Sequence, residues 1–111
     1  MPTVPGPEVP RQIKQPAESK LYDFDFSPVM RDGDTVASIE VLTAVAIERL
    51  DGGALGDAGA LTLGAALISS ALVQIRISGG TDRVNYKVTL RGTSAGGDTI
   101  ETEGVLRVID Y

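Results

Sequence analysis

The 111-residue sequence is 42% hydrophobic but only 5% aromatic and has no Trp, which bounds it to one domain with an aliphatic core of Val, Ile, Leu and Ala. Fifteen acidic against ten basic residues give a net charge of −5, which argues against a nucleic-acid surface. With no Cys and no His, the chain lacks disulfides, thiolate catalysis, zinc–thiolate sites and the commonest general base, and its redox compartment stays undetermined.

Residues 1–18 read as an arm. Pro2, Pro5, Pro7, Pro10 and Pro16 lie there, spaced for extended polyproline II rather than helix or ladder. The segment reads either as a disordered tail or as an extended arm along a neighbouring subunit, with Pro5, Pro7, Pro10, Arg11, Lys14 and Pro16 as the partner contacts. It has no apolar core, so it does not read as a signal peptide, and no apolar run is long enough to span a membrane.

From residue 19 to 111 the pattern is that of one β domain. Leu21–Phe26 sets Tyr22, Phe24 and Phe26 on one face and Asp23 and Asp25 on the other, and Ser27-Pro28 ends it. Val29 and Met30 read as a loop or single helical turn, and Asp32-Gly33-Asp34 as a tight turn. Thr35–Arg49 is the longest strand expected. Its face Ala37, Ile39, Val41, Thr43, Val45, Ile47 is more apolar and more β-branched than the face through Leu42, Ala44 and Ala46. A loop rich in Gly and Asp follows, and Leu61–Ile68 reads as a free edge strand or a short helix.

Ala71–Leu90 holds the clearest alternation: Val73, Ile75, Ile77, then Val84, Tyr86, Val88, Leu90. Gly79-Gly80 between these runs predicts a turn joining them as an antiparallel hairpin. Gly92–Gly97 reads as a further turn. Asp98–Ile109 is the last strand, with Ile100, Thr102, Gly104, Leu106 and Val108 on one face and Glu101, Glu103 and Arg107 on the other. The expected architecture is all-β: an antiparallel Ig-like β-sandwich of six to seven strands carrying the Pro-rich N-terminal arm, with a small barrel as the alternative.

Few residues suggest chemistry. The Gly pairs match no phosphate-binding pattern. Asp23 and Asp25 would stand about 7 Å apart on one strand face; hard cations take such oxygens, but the spacing fits no calcium loop. Arg76, Asn85, Lys87, Thr89 and Arg91 read either as a basic strip or as partners of an acidic strand. Without His or Cys to activate Ser or Thr, no catalytic residue, cofactor or metal is expected.

Lys14-Gln15-Pro16-Ala17-Glu18, Tyr22-Asp23-Phe24-Asp25-Phe26-Ser27, Gly33-Asp34-Thr35-Val36, Val73–Gly80 and Tyr86-Lys87-Val88-Thr89 occur in that order. The order resembles the small β-sandwich virion proteins of tailed bacteriophages, of the tail–fiber adaptor or head–tail neck type, over Lys14–Ile109. The resemblance implies a non-enzymatic structural protein, present in many copies around the tail or neck. Its implied partners are other virion proteins (a portal, adaptor or nozzle-type connector and the tail fibers), without nucleic acid or membrane, in particles assembled in the bacterial host cytoplasm. A ligand- or carbohydrate-binding β-sandwich module is the alternative, and it would need exposed aromatics for stacking.

Overall fold

The computed structural model describes residues 11–110. Within them lie eight strands: β1 (Arg11–Lys14), β2 (Lys20–Asp25), β3 (Val36–Arg49), β4 (Leu61–Leu63), β5 (Leu67–Ser69), β6 (Leu72–Gly79), β7 (Val84–Ser94) and β8 (Thr99–Val108). Single 3₁₀ turns occupy Ser27–Val29 and Leu55–Asp57. One sheet runs β1-β8-β7-β3; the second runs β2-β6-β4, with β5 beside β4 on the same edge of β6.

The two sheets meet through the residues whose alternation marks them as apolar. Tyr22, Phe24 and Phe26 pack with Val73, Ile75 and Ile77 from the second sheet. Val84, Tyr86, Val88, Leu90, Ile100, Leu106 and Val108 cover them from the first. Each fully buried aliphatic side chain of this kind contributes about 1.5–3 kcal/mol. The expected sandwich of six to seven strands is thus an eight-stranded one among the described residues. It is not wholly antiparallel, because β1 runs parallel to β8, with Arg11 opposite Val105 and Lys14 opposite Val108. Residues 11–14, read from sequence as arm, are therefore part of the first sheet.

The hairpin expected over Ala71–Leu90 does not form. β6 pairs with β2, β4 and β5, while β7 pairs with β3 and β8. The Gly79-Gly80 corner carries the chain from one sheet to the other, with φ of 78° and 97°. A Cβ at Gly80 would sit 2.9 Å from both Leu61 Cδ2 and Val108 Cγ2, one atom from each sheet. Strands stacked face to face and strands paired side by side share the same two-residue period, so alternation alone does not separate them.

β3 buries the less β-branched of its two faces. Leu42, Ala44 and Ala46 pack toward the core, whereas Val45 is 51% and Ile47 43% exposed. Three register irregularities against β7, at Val36/Ser38, Ile39/Val41 and Ala46/Glu48, reset the phase, so Ile39 and Leu42 reach the same core from opposite parities. Leu61–Ile68 is an edge rather than a helix. It is broken into β4 and β5 at Gly64–Ala66, where Gly64 N–H still donates to the Arg76 carbonyl at 2.8 Å.

Candidate interaction surface

In a sandwich the sheet edges are the surfaces with unspent backbone hydrogen bonds. Each edge here is built differently. β3 is fourteen residues long, and its three irregularities bend and twist it. β4 and β5 are three residues each, too short to template a long partner strand. β2 carries Lys20, Asp23 and Asp25. Within the described residues β1 pairs with Val105–Val108 of β8.

Apolar side chains gather beside two of these edges. Val45 and Ile47 stand outward on β3, and Leu67 (54% exposed) and Ile68 lie on β5, which packs beside β3. The middle of the first sheet's outer face, on β7 and β8, is polar instead. Lys87 lies 3.9 Å from Glu103 and Arg91 3.9 Å from Glu101, across the β7–β8 ladder. Asn85, buried although on that outer face, donates to Glu48 Oε1 at 2.8 Å and accepts from Arg107 Nε at 3.0 Å. The row read as a basic strip is therefore matched by acidic partners on neighbouring strands, and Arg76 lies in the other sheet, donating to the Ser19 carbonyl at 3.2 Å.

The residues expected to contact a partner are scattered by the fold. Pro5, Pro7 and Pro10 lie outside the described residues, and Arg11 enters only as the first backbone position of β1. Pro16 is half-buried in the Gln15–Glu18 turn, closed by the Glu18 N–H to Gln15 carbonyl bond of 3.1 Å. Lys14 faces inward rather than toward a partner. Its side chain is fully buried, and Nζ donates to the carbonyls of Gln15 (2.7 Å), Pro16 (3.1 Å) and Gly79 (2.7 Å). Burial lowers its pKa from the ordinary lysine value, with Glu18 opposing. Glu18 is itself lowered, first by accepting the Gln15 N–H. This latch ties the start of the domain to the corner between the sheets. Nothing in the sequence marks it, since Lys14 looks like any other charge in a proline-rich segment.

The remaining sequence candidates take structural places. Asp23 accepts from Gln74 Nε2 at 2.8 Å, and Asp25 accepts the Ser27 N–H at 2.9 Å. Among the described residues no group of three His, Cys, Asp or Glu side chains converges as a metal site. Tyr22, Phe24, Phe26 and Tyr86 are core residues, 0–7% exposed, so they offer no stacking platform for a sugar. Asp34 accepts from Thr35 N–H at 2.8 Å and Gly96 N–H at 3.1 Å, which lowers its pKa and clips the β7–β8 turn to the head of β3.

The sandwich thus offers edges and an apolar margin, and comparison with known families assigns them a setting. Residues 14–107 match the family model described as podophage GP4 fiber-tail adaptor protein gp77. The chain belongs to this fiber-tail adaptor family. The match runs from the last residue of β1 almost to the end of β8, so it takes in β2 to β7 in full and nearly all of β8. No curated protein matches the chain. Membership gives the chain a structural role in the phage tail, which agrees with the resemblance read from sequence. The polar side chains of β7 and β8 on the outer face are internally paired, whereas Val45 and Ile47 on β3 stay exposed.

Proposed function

We propose that this protein is a non-enzymatic joining part of the virion. Many copies form a ring around the tail or neck and link the head–tail connector to fibers or other tail components. The observation that carries the reading is the family match over residues 14–107. The physical character of the molecule supports it. A rigid two-sheet body with aliphatic filling has no reactive constellation among its described residues, and it presents exposed Val45, Ile47, Leu67 and Ile68 beside adjoining strand edges. Apolar side chains beside an edge are liabilities in a lone protein and contact surface in an assembly. The partners in this reading are other virion proteins, and the particle is assembled in the host cytoplasm.

Negative-stain images of virions decorated with antibody to this chain test the placement. Label confined to the neck or tail, at several positions around the axis, is the expected result. Label on the capsid, or no label, ends the proposal.

A further inference from the structure

The sheet order leaves β3 as an edge, and the chain on both sides of it is described throughout. Which of its backbone groups face outward follows from β7. Ser94 N–H donates to the Asp98 carbonyl at 2.8 Å, so the even-numbered residues of β7 turn their backbone groups toward β8 and the odd-numbered ones toward β3. Lys87, Thr89 and Arg91 stand opposite Val45, Thr43 and Val41, which therefore spend their N–H and C=O groups on β7. Leu42, Ala44 and Ala46 turn theirs the other way, toward an edge that no described strand occupies.

The irregularities at Ile39/Val41 and Ala46/Glu48 bound this stretch. Between them Val41–Ala46 runs in unbroken register, and none of its residues is charged. Beyond Ala46 the phase reverses. Glu48 stands opposite Asn85 and Leu50 N–H donates to the Arg83 carbonyl at 2.7 Å, so an added strand cannot continue in register. A carboxylate stands at each end of the window. Glu40 accepts from the Ser38 hydroxyl and from Thr93 Oγ1 at 3.0 Å, and Glu48 accepts from Asn85 Nδ2 at 2.8 Å, all neutral donors. Among the described residues neither carboxylate takes part in an ion pair, unlike Glu101 and Glu103.

Building on the joining role, we propose that Val41–Ala46 receives an extended segment of another virion protein as an added strand. The segment has about six residues of alternating, uncharged side chains, with Lys or Arg at each end. Its backbone takes up the outward N–H and C=O groups of Leu42, Ala44 and Ala46. Its side chains on one face lie beside the exposed Val45 and on the other beside Leu67 and Ile68, and its basic ends meet Glu40 and Glu48. A second copy of this chain is a poorer occupant. Antiparallel pairing of two β3 strands through all three outward residues sets Ala44 against Ala44 and brings Glu40 of each copy against Glu48 of the other, like charges at both ends.

Amide exchange followed by mass spectrometry compares the isolated full-length chain with the chain in purified virions. In the isolated chain Leu42, Ala44 and Ala46 exchange quickly, whereas Thr43 and Val45 are held by β7. In the virion a fragment spanning Val41–Ile47 takes up about three fewer deuterons. Ala44→Pro removes an outward N–H, leaves the β3–β7 ladder whole and cuts incorporation into virions by about tenfold or more. Glu40→Lys combined with Glu48→Lys has the same effect. Equal uptake in the isolated chain and in virions that contain it overturns the strand addition while leaving the joining role intact, as does normal incorporation of either variant. Virions without the chain end the joining role itself, and the strand addition with it. Slow exchange at the three outward amides of the isolated chain, fading on dilution, means that a second copy holds the edge, which also overturns the proposal.

Discussion

Gly92→Ala isolates the closest backbone approach in the sandwich. Gly92 lies on the inward parity of β7, opposite Ile39 of β3 and Ile100 of β8. Its φ lies outside the left-handed region, so alanine meets no conformational barrier there and any effect is steric. A Cβ at this position would overlap the Ser38 carbonyl oxygen and lie 3.1 Å from Ile39 Cα and 3.0 Å from Ile39 Cδ1. A carbonyl cannot rotate aside as a side chain can; β3 must retreat by about an ångström or more in a close-packed interior. The retreat falls where β3 is already irregular, between Val36/Ser38 and Ile39/Val41, and it uncovers Val36, which is buried. Overpacking of this kind costs about 1–3 kcal/mol, and the backbone contact puts Gly92→Ala near the upper end. For a domain of this size, about 3 kcal/mol lowers Tm by roughly 12 °C.

Thermal unfolding followed by circular dichroism measures the effect, with Gly97→Ala as the control. Gly97 has a φ of 94°, and nothing lies within 4 Å of the point a Cβ would occupy. Alanine there costs conformational strain alone, about 1 kcal/mol or roughly 4 °C. A Gly92→Ala protein that melts no lower than Gly97→Ala refutes the close approach and, with it, the inward bend of β3.

Tyr86→Phe deletes a hydroxyl that accepts the Thr81 N–H at 2.8 Å and donates to the Gly59 carbonyl at 2.5 Å. Because Tyr86 is buried, a loss of about 1–3 kcal/mol is expected in denaturant titration, with faster amide exchange at Thr81. Lys14→Met removes three bonds from a buried ammonium together with its desolvation cost; the two partly cancel, leaving a net loss of about 1–2 kcal/mol. Its diagnostic readout is faster exchange at Ile109, whose N–H holds β1 through the Lys14 carbonyl. Asp51 takes two bonds from Arg49, at 3.0 and 2.8 Å, which with the Gly53 N–H hold its pKa at about 2, below the ordinary 3.8. A depressed carboxylate stabilises the fold above its unfolded pKa and loses that contribution as pH falls through the folded value. Asp51→Asn therefore flattens the stability profile between about pH 4 and pH 2 and leaves its shape at neutral pH unchanged.

What the sequence made legible follows from what a two-residue period encodes. It reports which side of a strand is buried, and Tyr22, Phe24, Phe26, Val73, Ile75, Ile77, Val84, Tyr86, Val88 and Leu90 are all core residues. It carries no information about lateral neighbours, so the Gly79-Gly80 turn read as a hairpin while the folded chain uses it to change sheets. It also presumes an unbroken phase, which β3 violates three times. β1 was hidden for a third reason. Four residues between Pro10 and Pro16 are too few to show alternation, and Lys14, a polar residue at an inward position, disguises the pattern. The family resemblance needed none of this, because short motifs in a fixed order survive uncertainty about which strands pair.

The joining surface was the least legible part, because an edge is a property of sheet order rather than of any one strand. Once the order is known, the edges can be ranked by how they resist unwanted pairing. β3 has its irregularities, β4 and β5 their shortness, and β2 its charges. In the proposed joining role, the β3–β5 margin, where Val45, Ile47, Leu67 and Ile68 are exposed, is the surface expected to meet partners. Val45→Glu combined with Ile47→Glu should block tail incorporation, read as loss of the chain from purified virions, without altering Tm. Normal incorporation of that double variant would move the joining surface off β3.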